Sequence, residues 1–333
     1  MLVVSVGRIS LRGQTSAKLK LSLPPTIDSF PIAFANDQNI FEKHGLTVEL
    51  VGIPNRTQRD VALFSGSVDG ALTDIASVLR LIAADAPVKI TSTAFETIDD
   101  SRRYSLMTHH FSNITDLSTL LKRLDGQKGR TIGLLQQTDM EFETDRLIAA
   151  QGANIDESKL YSNYEDIVLL ATLLGQGSIL AAVLPEPIGS YLEYITRAEG
   201  VPVVLLADYK NQKLTPSVMA FQTRLIEESP DRIERFYDGY QEVISLLATL
   251  PREQVVEVGV NAALQFFFPG LKREELPPGA EEFIQKYLIP AFPPPRALLT
   301  EEFQSVSSWS LEKGYLRAAI PFELAFTNQF NGS

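Results

Sequence analysis

Five short polar stretches carry the side chains with chemistry to offer. Thr26 and Asp28 stand in Pro24-Pro25-Thr26-Ile27-Asp28, and Asn55 and Arg56 open a loop that runs on to Arg59. Thr73 and Asp74 follow a short apolar run, as do Gln137, Thr138 and Asp139, and Glu186 is held between Pro185 and Pro187. A carboxylate in a closed, partly dry site is costly unless paired. Asp28, Asp74 and Glu186 turned inward together therefore imply a ligand with amino donors or positive charge. Arg56 offers the opposite chemistry, a planar fork that holds a carboxylate, sulfonate or phosphate through two hydrogen bonds. A helix start after Gln137 would present free N–H groups to an anion, but Asp139, Glu141 and Glu143 crowd that seat with negative charge.

Each of these residues also has a plainer role. Asp28 can cap the helix that follows it instead of meeting a ligand. Arg56 and Asn55 can be solvated, or can tie one half of the chain to the other. Phe95 is either a wall of the site or ordinary core, and Tyr191, about one helical turn past Glu186, can stack on a ligand or donate a hydrogen bond to it.

Other chemistries are excluded or poorly supplied. The chain has no cysteine, so disulfides, thiolate nucleophiles and cysteine-based metal sites are out. Its three histidines are His44, His109 and His110. Adjacent residues on a strand face opposite ways, so the His109-His110 pair supplies no metal site, and no cofactor is expected. There is no P-loop, no HExxH and no serine-hydrolase elbow. A net charge of −11 disfavours nucleic acid, and no apolar run reaches the ~18–20 residues that span a bilayer.

The polar stretches are positioned by a repeating unit. Lys20–Leu23, Thr47–Val51, Val68–Leu72 and Val88–Thr93 read as strands, separated by helical segments that stop at His44-Gly45 and Ser65-Gly66. Alternation of this kind builds an α/β fold with a mostly parallel sheet, whose ligands collect beyond the strand C-termini. The unit then recurs: strands at 128–135, 160–164 and 178–184, with a helix to Ala150 and another over 166–175. Asp28 and Asp139, and Gly66 and Gly177, are equally spaced (139 − 28 and 177 − 66 are both 111). At 333 residues two lobes are expected. Residues 18–97 plus 219–333 form the first, with the C-terminal helices, and 98–218 the second, with two polar crossings as the hinge. Residues 1–17 read as a leader remnant or tag outside the fold.

The run Gln38-Asn39-Ile40-Phe41-Glu42-Lys43-His44-Gly45-Leu46-Thr47-Val48-Glu49-Leu50, the turn Ser65-Gly66-Ser67-Val68-Asp69-Gly70-Ala71 and Leu184-Pro185-Glu186-Pro187 appear in this order. Together they resemble the periplasmic solute-binding proteins of ABC importers for nitrate, sulfonates, taurine and thiamine-pyrimidine precursors. In the second half Leu180 stands where that family places an aspartate. The resemblance implies a two-lobed type II binding-protein fold, a monomer at the outer face of a membrane, and permease transmembrane subunits as partners. It implies that Thr26, Asp28, Asn55, Arg56, Thr73, Asp74, Phe95, Gln137, Thr138, Asp139, Glu186 and Tyr191 surround a small solute captured by hinge closure. A pyrimidine-type vitamin precursor or a sulfonate is the expected ligand, and no catalytic residue is expected. The alternative is an enzyme on the same scaffold, a pyrimidine-precursor synthase or a menaquinone-pathway dehydratase, or a ligand-sensing module. The synthase's cysteine-rich motif is missing, and no positioned acid/base stands out for a dehydratase.

Overall fold

A computed structural model describes residues 17–98, 101–125, 131–152, 160–210, 212–266 and 270–331. Of residues 1–17, set aside as a leader remnant, 1–16 lie outside the described residues, as does part of the strand expected from Lys128, while Ala17 already pairs with Leu46 in the first sheet. The first half of the chain contributes strands β1 (Ala17–Leu23), β2 (Leu46–Gly52), β3 (Gly70–Thr73) and β4 (Val88–Phe95). The middle supplies β5 (Tyr104–His109), β6 (Ile132–Leu134), β7 (Tyr161–Asn163), β8 (Ala181–Pro185) and β9 (Val203–Ala207), and β10 (Ser217–Gln222) follows. They assemble into two five-stranded sheets, ordered β2-β1-β3-β10-β4 and β7-β6-β8-β5-β9.

The two orders are the same plan written twice. Four strands of each sheet run one way, and the fifth, β10 or β5, runs against both of its neighbours. That reversed strand is in each case the first one made after the chain crosses from the other sheet. The duplication read from the 111-residue spacing is thus present in topology, and the sheets are mostly parallel as expected. Ser217 and Val218 already pair in the first sheet, so the expected lobe boundary after 218 falls two residues inside β10.

Local chemistry sets the element ends. The expected single helix before His44-Gly45 is two pieces, Phe30–Asp37 and Ile40–Lys43, because Asn39 adopts φ 54° between them. Asn55 and Asp74 cap the helices Arg56–Phe64 and Ile75–Ala83, accepting from Gln58 N and Ser77 N. At Gly70 a Cβ would lie 2.4 Å from Phe221 Cδ1, so only glycine lets β3 approach β10 this closely.

The leucines of β1 are fully buried, between Ile32 and Phe34 of the first helix and the long helix Pro230–Leu247. That long helix presents Ile233, Phe236, Tyr240 and Val243 inward, as its periodicity predicts. Phe236 stacks on Phe41 at 5.3 Å, and the Tyr240 hydroxyl donates to Ala94 O at 2.8 Å. Helix Thr300–Glu312 packs against Ile75–Ala83 of the first lobe and Asp139–Ala149 of the second.

Candidate functional site

The polar stretches that follow β1, β2, β3, β6 and β8 meet in a cleft between the lobes, as the sheet topology requires. Thr26 and Asp28 enter from β1, Arg56 and Arg59 from β2, and Thr73 and Asp74 from β3. The other lobe answers with Thr138 and Met140 after β6 and Pro185 at the end of β8, and Arg103, Tyr104 and Ser217 enter from the two crossings. The lobes are drawn together over it: Ile27 N donates to Glu186 O at 2.7 Å and Arg56 N to Glu165 O at 2.8 Å. About 80 Å³ of free space remains, well below the ~300 Å³ of a drug-sized site.

Most charges in and around this cleft are already matched. Asp28 is 6% exposed and accepts from Arg103 Nη2 at 3.1 Å, while Arg103 also donates to Thr215 O. Arg56 pairs with Glu165 across the lobes at 2.7 Å and lies 3.6 Å from Asp60. Asp74 is occupied as a helix cap, accepting from Ser77 N at 2.8 Å and Ser77 Oγ at 3.0 Å. Arg59 is different. Its Nη1 donates to Ile53 O and Pro54 O at 2.7 and 2.9 Å, and among the described residues no carboxylate lies within 4 Å. Burial pulls its pKa down to about 10, as befits a desolvated cation whose nearest opposite charges act only from a distance.

The family model described as NMT1/THI5 like matches residues 26–254, more than half of the chain. The chain belongs to this NMT1/THI5-like family. No curated protein sequence matches it closely enough to count as a relative. Solved structures share its fold. The ligand-binding component of an ABC-type import system from Staphylococcus aureus, solved with zinc bound, is 13% identical with a TM-score of 0.70. That match covers 94% of this chain and 97% of the other. The alkanesulfonate-binding protein SsuA of Xanthomonas axonopodis pv. citri, bound to MOPS, is 15% identical at TM-score 0.70, covering 93% and 98%. The nitrate-binding protein NrtA of Synechocystis PCC 6803 is 12% identical at 0.68, covering 94% and 87%. These likenesses show the periplasmic-binding-protein fold. Among the described residues no three His, Asp or Glu side chains gather as a metal site.

Within this family fold the residues expected from sequence divide. Thr26, Asp28, Arg56, Thr73, Asp74 and Thr138 line the cleft. Asn55 is spent as a helix cap and bridges to Asp166 of the other lobe. Gln137, at φ 60°, gives its carbonyl to Arg80 and its N–H to Glu141. Phe95 is 1% exposed and packs on Phe292, so it belongs to the core. Glu186 lies beneath the surface: its Oε1 accepts from Ser105 Oγ at 3.1 Å with Arg102 Nε at 3.6 Å, and burial pushes its pKa up. Tyr191 lines a neighbouring apolar cavity of about 100 Å³, walled also by Phe30, Phe283 and Tyr287, which shares Pro24 and Thr26 with the cleft. Arg103, Tyr104 and Ser217 are the polar cleft residues that the sequence reading passed over. The signal available was their position: each begins or immediately precedes the strand made after a crossing.

Asp139 is wholly buried outside the cleft. Its carboxyl group sits at the start of helix Ile75–Ala83 in the opposite lobe, where Ala76 N donates at 2.9 Å and Ile75 N at 3.4 Å. Thr215 Oγ1 donates to it at 2.9 Å. Burial, with Asp74 next in effect, pushes its pKa up to about 8. An aspartate raised from 3.8 to about 8 favours the folded state fully below pH ~4 and loses that contribution as pH rises through 8. Asp139→Asn removes the titration while keeping an acceptor for Ala76 N. Thermal melts from pH 5 to 9 should show the variant gaining on the wild type with pH; a constant gap would mean that Asp139 does not titrate in this range.

Proposed function

We propose that the chain is a solute-binding protein of an ABC-type importer, which closes its two lobes over a small anionic solute and presents it to a permease. Residues 17–95 with 217–331 act as one moving body and 104–207 as the other, turning about the crossings. The observation that carries the ligand charge is Arg59, a cleft guanidinium with no carboxylate partner among the described residues. A sulfonate or carboxylate there would gain a two-pronged, charge-assisted contact in a partly dry site. Thr73 lines the same cleft, and its hydroxyl can add a donor. An amino-bearing heterocycle is less well served, because Asp28 and Asp74 are already engaged within the protein and Glu186 lines neither the cleft nor the adjoining cavity. The sulfonate- and nitrate-binding roles of two of the structural neighbours agree with an anion.

The adjoining apolar cavity favours a solute with a hydrocarbon group beside its charge. No helix among the described residues is long and apolar enough to cross a membrane. On this reading the protein works as a monomer at the outer face of the membrane that holds its permease. Among the described residues that line the cleft, the carboxylates Asp28 and Asp74 are both engaged within the protein, which favours a binding role over an acid/base one.

Calorimetric titration with methanesulfonate, benzenesulfonate, nitrate and an aminomethyl-pyrimidine tests this. Benzenesulfonate should bind tightest and be recovered unchanged. Binding confined to the pyrimidine, or consumption of any bound compound, would overturn the reading.

A further inference from the structure

We propose that Asp139 is a built-in plug: a carboxyl group carried by one lobe that fills the helix start of the other, holds the lobes together without solute, and denies that seat to free anions. A helix start with unpaired N–H groups is a ready anion site. Here the seat belongs to the nine-residue helix Ile75–Ala83, and two of its first N–H groups are taken by Asp139 Oδ1 and Oδ2. Asp74 of the same helix accepts from Ser77 N, so that turn is satisfied from inside the chain.

Bonds made by Thr215, Arg80 and Asp145 make this an inter-lobe device and not a chance meeting. Thr215, on the return crossing, donates through its hydroxyl to Asp139 and through its backbone N–H to Glu143 at 2.7 Å. Arg80 of the seated helix donates to Gln137 O at 2.6 Å, just before the plug. Farther along helix Asp139–Ala149, Asp145 accepts from Trp309 Nε1 at 2.8 Å and pairs with Lys313 at 2.9 Å. The helix Asp139–Ala149 is therefore bonded to the first lobe and its C-terminal helix along its length, with Asp139 at the end nearest the cleft. A binding clamp normally closes when the solute completes contacts to both lobes. In this chain one of those bridging contacts is supplied by the protein itself, so the solute adds to it from the Arg59 side.

The test is chemical rescue by formate in the solute-free protein. Asp139→Ala should give a larger radius of gyration in small-angle scattering than the wild type, and a lower melting temperature. Saturating formate should restore compactness and raise the melting temperature by a few degrees, roughly as occupancy of one site predicts. The wild type and Asp139→Asn, whose seats stay filled, should not respond. Asp139→Ser is run alongside, since its smaller void secures a folded variant, and the same readings apply to it. A variant as compact as the wild type, or one indifferent to formate, overturns the plug. This outcome is separable from failure of the solute reading. Sulfonate binding without formate rescue rejects the plug alone, and rescue without binding of any sulfonate or nitrate rejects the anionic-solute reading alone.

Discussion

Replacing Arg59 by methionine should lower solute affinity at least ~30-fold while leaving the solute-free protein as stable as before, or more so. The two halves of this expectation have one cause. Arg59 is desolvated without a compensating carboxylate among the described residues, so in the empty cleft it is a cost. Methionine keeps the volume and the apolar stem contacts and removes the buried charge. It gives up the Nη1 bonds to Ile53 O and Pro54 O, worth about 1 kcal/mol each, against relief of the desolvation. In the occupied cleft the same guanidinium faces an anion, and deleting one member of a buried charge pair costs about 2–5 kcal/mol. Arg59→Lys should recover part of the affinity, because an ammonium keeps the charge but loses the fork. Titration and thermal melts on the three proteins decide it. A variant with both affinity and melting temperature reduced would make Arg59 structural; one with unchanged affinity would move the solute elsewhere.

The second large effect is expected at Arg103. It is 4% exposed, pairs with Asp28 at 3.1 Å, and lies with its guanidinium carbon 5.3 Å from the Tyr104 ring centre. Arg103→Met strands the Asp28 carboxylate, which has no other cation within 4 Å among the described residues. The cost of an uncompensated buried charge is about 3–5 kcal/mol, a fall of roughly 4–7 °C in melting temperature for a protein of this size. Adding Asp28→Asn to Arg103→Met should restore much of the loss, since the remaining amide can be satisfied without a counter-charge. Equal instability of the single and double variants would assign the effect to lost packing against Tyr104 instead of to the orphaned carboxylate.

The fold was legible because it follows from local patterns. Apolar runs of strand length, glycine stops at Gly45 and Gly66, and the helix signals after Asn55 and Asp74 act within a few residues of where they are written. The loops after β1, β2 and β3 could be placed in the cleft for the same reason, which is why Thr26, Asp28, Arg56 and Thr73 were found. What the sequence did not disclose is who pairs with whom. Asp28 as a helix cap and Asp28 as the partner of Arg103 look identical until residues 75 positions apart are brought together. Glu186, the favoured contact, turns under the cleft surface towards Ser105. Arg56 and Arg59 read alike, three residues apart. Glu165, supplied by the other lobe, neutralises the first and leaves the second open.

The reversed strands have a consequence for the chain's modularity. Phe95, where the backbone leaves the first sheet, is the register partner of Ser217, where it returns, and Leu106 faces Ala207 in the same way. The whole second lobe is thus spliced between two neighbouring points, like a cassette inserted into a hairpin. A turn of about two to five residues would bridge the gap that its removal leaves. All five strands of the first sheet would survive the excision, and the cassette, with its own ends adjacent, would carry all five of its own. The architecture keeps its two halves separable in topology, while each leans on the other across the cleft and through helix Asp139–Ala149, whose Asp145 bonds to Trp309 and Lys313 of the first.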